Sequence, residues 1–181
     1  MGAIGAEVAR LARALGCQVL GMRRSHVPGQ APSQGDAALA QEIFAPSQLH
    51  EMLSRCDAVV IAAPATKETH HLIDGPALAA MPSGVVVVNV ARGSLLDERA
   101  IIQALESGHV SAAALDVFEQ EPLPADSPLW SAPNLYISAH SSVSVDRYID
   151  DVFDRFAANL ARYARGEELR HQVDMQALGF E

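Results

Sequence analysis

Val85-Val86-Val87-Val88-Asn89-Val90-Ala91-Arg92-Gly93 is the stretch from which the fold is read. Its β-branched run, Val85 to Val90, predicts a strand buried on both faces, as the inner strands of parallel sheets are. Working outward, a helix near Gly75 to Met81 precedes it. Asp97 caps a following helix, Glu98 to Ser107, because its carboxylate accepts from free first-turn amides. Strands at Ala112 to Val117 and, after a Pro-rich loop, at Leu135 to Ser138 come next. Upstream, helical periodicity from Ile4 to Leu15 stops at Gly16 and gives way to a strand, Gln18 to Met22. Ser25 to Gly35 reads as loop and Glu42 to Phe44 as a short strand. Ser47 caps a helix to Arg55, and Asp57 to Ala62 forms a strand ended by Pro64. A last helix, Val145 to Arg165, leads to a polar tail. Strands and helices alternating over short connections predict a doubly wound α/β domain with a parallel sheet over residues 1–144, followed by a helix and tail over 145–181.

Composition narrows the function classes. The 181 residues are 49% hydrophobic and 19% charged, enough for a packed core. A net charge of −9 without any basic run argues against a nucleic-acid partner. Arg162, Arg165 and Arg170 read as the solvated face of a late helix. No apolar run approaches a membrane span and no signal pattern opens the chain, so a cytoplasmic protein is expected. Cys17 and Cys56 each stand beside a strand-like run and are expected to be small buried residues. The seven His include His70-His71, yet no His/Cys/Asp spacing resembles a zinc site, and no metal is expected.

Chemistry-bearing residues stand at the ends of the predicted strands. Gly2-Ala3-Ile4-Gly5 opens the first helix and matches the second half of G-x-G-x-x-G, in which glycines let the backbone approach a pyrophosphate at the helix's positive end. The strand before that motif and its first glycine do not stand in the sequence. After the strand Gln18 to Met22 come Arg23-Arg24-Ser25, where a dinucleotide-binding unit normally has an acid for the ribose hydroxyl; two cations suit a 2′-phosphate instead. Arg92 follows the valine strand, Asp116-Val117-Phe118 and Glu121 follow the next, and His140 follows the last. One Arg, one carboxylate and one His at such positions are the parts needed to hold a carboxylate substrate and protonate its carbonyl.

Taken together, Val88-Asn89-Val90-Ala91-Arg92-Gly93 with Asp97-Glu98, Ala114-Leu115-Asp116-Val117-Phe118 with Glu121-Pro122-Leu123-Pro124, and the strand-end His140 resemble the NAD(P)-dependent D-2-hydroxyacid dehydrogenase family. The resemblance runs from Gly2 to about Gly179. The wording from Ser127-Pro128-Leu129-Trp130 to His140-Ser141-Ser142 is most similar to the glyoxylate/hydroxypyruvate reductase branch. It implies that Arg92 grips the substrate carboxylate and that His140 is the general acid/base. It further implies that Glu121 pairs with His140 and that Asp116 contacts the nicotinamide carboxamide. Gly2, Ala3, Ile4 and Gly5, the group Arg23, Arg24 and Ser25, and Pro64, Thr66, Thr69 and Ala91 would bind the cofactor, NADP in preference to NAD. The resemblance also implies a homodimer acting on a small 2-keto acid. Asp97 and Glu98 read as a cap and a first-turn acid, and His70 and His71 as surface residues.

This sequence departs from the family pattern in two ways. Ala139 precedes His140 where the family usually has Pro, and the family's substrate-binding half lies mostly before the glycine motif. The chain is therefore expected to be a fragment beginning inside that motif, with Met1 at its variable position. A gap, or a foreign strand, is expected between Gln18 to Met22 and Asp57 to Ala62, with aggregation or partial order as the consequence. A non-catalytic NAD(P)-binding module, or an inactive fragment of such an enzyme, stays open as the alternative.

Overall fold

A computed structural model describes residues 1–31, 33–142 and 147–173. The chain forms two compact units, Met1–Ala139 and a second beginning at His140. In the first unit the order is α1 (Ala3–Ala14), β1 (Leu20–Met22), α2 (Gln34–Ala37), β2 (Glu42–Phe44), α3 (Leu49–Leu53), β3 (Ala58–Ile61), α4 (Gly75–Ala79), β4 (Val85–Asn89), α5 (Glu98–Glu106), β5 (Val110–Leu115) and β6 (Leu135–Ile137). Every strand pair is parallel. β1 pairs with β2, and β3-β4-β5-β6 form a separate four-stranded sheet. The α/β class and parallel sheets agree with the sequence reading, and β1 and β3 are left unpaired with one another, which is the expected gap.

Burial alternates along the central strand, which corrects the expectation of a strand enclosed on both faces. Val85, Val87 and Asn89 are buried, whereas Val86 is 36% exposed and Val60 on β3 is 39% exposed. The inward set packs with Leu53 of α3, Ala77 and Leu78 of α4, and Ile101 and Leu105 of α5. Each fully enclosed branched side chain contributes about 1.5–3 kcal/mol by leaving water, so this one-sided core carries most of the unit's stability.

Local signals explain the element ends. The Asp97 carboxylate accepts from Arg99 and Ala100 N–H at 3.0 and 3.1 Å, the expected cap. Asp74 caps α4 by accepting from Ala77 N–H at 2.9 Å. Ser47 caps nothing: a 3₁₀ turn, Pro46–Gln48, precedes α3 because Pro46 presets the turn and the Gln48 side chain accepts from Ala45 N–H. α2 falls at the end of the predicted loop, where Ser33 accepts from Asp36 N–H. Cys17 is exposed and Cys56 half-buried, not the buried pair expected; Cys17 lies in the connection before β1, which begins only at Leu20. Both are free thiols, and burial pushes the Cys56 thiol up.

The second unit holds α6 (Tyr148–Ala164), whose Ile149, Val152, Phe153, Phe156 and Leu160 recur at helical spacing and are exposed. Val145, the expected start of this helix, and the expected boundary after residue 144 lie outside the described residues. Among the described residues no helix is long and apolar enough to cross a membrane, and no group of His, Cys, Asp and Glu is placed to hold a metal.

Candidate active site

In a parallel sheet all strands end on one edge, so the residues after β3, β4, β5 and β6 collect there. Arg92 sits on the turn after β4, its side chain exposed, its Nη1–H donating to Ala91 O at 2.6 Å. Asn89 builds that turn. Its fully buried Oδ1 accepts from Ala91 N–H at 3.0 Å, and its Nδ2–H donates to Arg92 O at 3.0 Å. Gly93 is required by close approach: a Cβ there would stand 1.9 Å from the carbonyl carbon of Phe118. That approach brings the Arg92 turn and the Asp116–Glu121 loop together.

Asp116, buried at the end of β5, donates its N–H to Asn89 O at 3.1 Å and accepts from the Ser138 hydroxyl at 2.7 Å. Glu121 is exposed and accepts from Phe118 N–H at 3.0 Å, folding its loop back on itself. His140 follows β6 by three residues, opens the second unit, is exposed, and has φ +50°, in the left-handed region.

In the same unit, α1 begins at Gly2 with no side-chain cap and no acid in its first turn. Its first amides therefore keep no partner within the helix. A Cβ on Gly2 would meet nothing within 4 Å. Arg23 and Arg24 follow β1, and Arg23 Nη1 lies 2.6 Å from Asp36 Oδ2. Asp36 is buried and also accepts from the Met1 ammonium at 2.5 Å and the Ser33 hydroxyl at 2.7 Å. The Met1 ammonium first, then the Ser33 hydroxyl and Arg23, hold its carboxyl well below the usual range. Arg24 lies within electrostatic reach of Glu68, whose carboxyl is held down chiefly by the Thr66 hydroxyl. The turn after β1 and the loop after β3 thus come together. In that loop Thr69 Oγ1 accepts from Thr66 N–H and donates to Pro64 O, both at 2.8 Å, so its hydroxyl shapes the loop.

A family model described as the D-isomer specific 2-hydroxyacid dehydrogenase, NAD binding domain, matches residues 1–142. The chain belongs to that family. As such an NAD-binding domain it is 41% identical over 139 residues to the (S)-sulfolactate dehydrogenase of Chromohalobacter salexigens, covering 77% of this chain and 43% of that protein. It is 49% identical over 92 residues to the glyoxylate/hydroxypyruvate reductase B of Citrobacter koseri, covering 51% of this chain and 28% of that protein. Among solved structures, the NADPH-dependent glyoxylate/hydroxypyruvate reductase of Sinorhizobium meliloti, in complex with NADP and sulfate, matches with a TM-score of 0.85 and 30% identity, covering 99% of this chain and 55% of that one. The chain thus spans less than half of the two curated relatives' lengths. The relatives' names differ in the acid they act on.

Several contributors to this dehydrogenase domain's site escaped the sequence reading. Asn89 was visible as the one polar residue in a valine run, a usable signal. Ser138 and Asp36 act across 22 and 13 residues, which periodicity does not report. His71, read as a surface residue, has its Nε2 2.8 Å from Glu119 Oε1.

Proposed function

We propose that the chain is the cofactor-handling part of a reductase that converts a small 2-keto acid, glyoxylate or hydroxypyruvate first, into its 2-hydroxy acid, with NADPH preferred over NADH. The observation that carries this reading is Arg92, held at the C-terminal end of β4 by the buried Asn89 and by the contact of Gly93 with the Asp116–Glu121 loop. A planar fork of donors in that place suits a carboxylate. The uncapped start of α1 suits a pyrophosphate: free first-turn amides, no acid, and open space at Gly2. Arg23, Arg24 and Ser25 would hold the 2′-phosphate, and Pro64, Thr66, Thr69 and Ala91 would line the dinucleotide.

When bound, a nicotinamide would supply the hydride that reduces the carbonyl carbon. Arg92 grips the substrate carboxylate and polarises the carbonyl, while His140 gives its proton to the carbonyl oxygen, completing the alcohol. Glu121 would orient the His140 ring, the role that the family resemblance gives it. Asp116, fixed by Ser138, orients the carboxamide. A cytoplasmic homodimer belongs to the same reading and rests on the family resemblance.

The test is NADPH consumption by the purified chain with glyoxylate and with hydroxypyruvate. His140→Ala is expected to lower turnover by about 10²–10⁴-fold while NADPH affinity stays put. Glu121→Gln is expected to lower turnover with NADPH affinity nearly unchanged, since the family resemblance gives this carboxylate the task of orienting the general acid. NADPH binding with no turnover would favour a non-catalytic module, and no binding at all would refute both readings.

A further inference from the structure

Three segments meet beside the Arg92–Gly93 turn. His71 N–H donates to Ser94 O at 2.7 Å, Ile73 N–H to Leu95 O at 2.9 Å, and Asp97 N–H returns to Ile73 O at 3.0 Å, so residues 71–73 are laced to 94–97. The third segment, Phe118 to Glu121, lies on Gly93 with no room for a methyl group between them. Side chains tie it down. Glu119 N–H donates to Glu98 Oε1 at 2.7 Å, Glu119 Oε1 lies 2.8 Å from His71 Nε2, and the next bond along the loop is Phe118 N–H to the Glu121 carboxylate. His71 holds φ +48°, a strained region for a residue with a Cβ, which persists only where neighbours fix it.

The groups facing one another here are the carboxylates of Asp97, Glu98 and Glu119, and His71, with the His70 ring centroid 4.1 Å from that of His71. Burial pushes the Glu98 carboxyl up, Glu119 and Asp97 add to this, and the Glu119 N–H and His71 oppose it. The His71–Glu119 pair is about one-third exposed on each side and holds weakly alone. A carboxylate accepting a backbone N–H while half-buried is the stronger tie, which makes Glu98 the deciding residue.

We propose that Glu98, Glu119 and His71 are positioning residues: they clamp the loop that carries Glu121 onto the turn that carries Arg92. Glu98 anchors the loop's backbone, Glu119 turns its side chain back to His71, and His71 closes the ring through Ser94. The catalytic consequence rests on the roles given to Arg92 and Glu121 above, whereas the clamp itself does not.

Amide hydrogen exchange and pH titration, followed residue by residue by NMR on the whole chain, test the clamp separately from the reaction. Glu98→Ala is expected to speed exchange of the Glu119 and Phe118 amides by about tenfold relative to Val87 and Leu115 in the sheet. Glu98→Gln, which keeps an acceptor oxygen, is expected to hold both within about twofold. In the wild type the Glu119 amide shift should show a step with a midpoint above the ordinary Glu value of about 4.3, and Glu98→Gln should remove that step. Unchanged protection of both amides in Glu98→Ala would overturn the proposal. If that variant loses protection throughout the sheet, the wild-type titration decides, and a Glu119 amide shift that stays flat between about pH 4 and pH 8 overturns it. Turnover with glyoxylate is read independently: a wild type that binds NADPH but turns nothing over refutes the reaction while these amides still judge the clamp.

Discussion

Asn89 makes its turn-building bonds from a position with no solvent access, so its replacement leaves Ala91 N–H without its partner and Arg92 O with the Leu95 N–H alone. Asn89→Leu is expected to cost about 1–3 kcal/mol, read as a lower midpoint in urea, and to weaken any binding that uses Arg92. Gly93→Ala forces the Phe118 backbone away and is expected to cost at least about 1–3 kcal/mol, as overpacking does. On the cofactor side, Arg23→Ala with Arg24→Ala should weaken NADPH about tenfold or more and NADH far less, since of the two cofactors only NADPH carries the 2′-phosphate and the lost Arg23–Asp36 pair bears on both alike. Comparing the two dissociation constants checks it. Asp36 adds a pH dependence. Its carboxyl is depressed in the folded state, so its contribution is full above the ordinary carboxylate range and is lost progressively as pH falls below that range toward the depressed folded value. Acid unfolding of Asp36→Asn should therefore be shallower than that of the wild type, with lower stability at neutral pH.

Elements with a strong local signal were legible in the sequence, and those made by tertiary contact were not. The helix after Asp97 was read from its capping residue, and the structure keeps that cap. Asp97→Ala should cost about 1 kcal/mol, measurable as a lower melting temperature. Val85–Asn89 was legible as a strand but not as a one-sided one, because four valines in a row carry no alternation to read. The turns at Lys67–Thr69, Gly93–Leu95 and Pro128–Ser131 are too short to show a period. The motif residues Arg92, Asp116 and Glu121 were legible because each follows an apolar run. Asn89 left a signal as the one polar residue of the valine run, whereas the supports given by Ser138 and Glu98 were not legible, because those bonds depend on which strand ends and loops lie side by side.

At the scale of the molecule, the described strands form two separate parallel sheets, with β1 and β3 not paired to one another. β1 and β3 each present an edge whose backbone groups lack a strand partner in the described sheets, and such edges invite association. Amides of β1 and β3 should exchange faster than those of β4, which is paired on both sides, and light scattering should show association that grows with concentration. The proposed function requires the C-terminal strand ends to form one NADPH-reading edge. Backbone amide shifts recorded while NADPH is added test it most directly. The account predicts the largest changes at residues 2–5, 23–25, 65–69, 91–92 and 116. Changes confined to the opposite strand ends, around Gly84 and His109, or no changes at all, would contradict it.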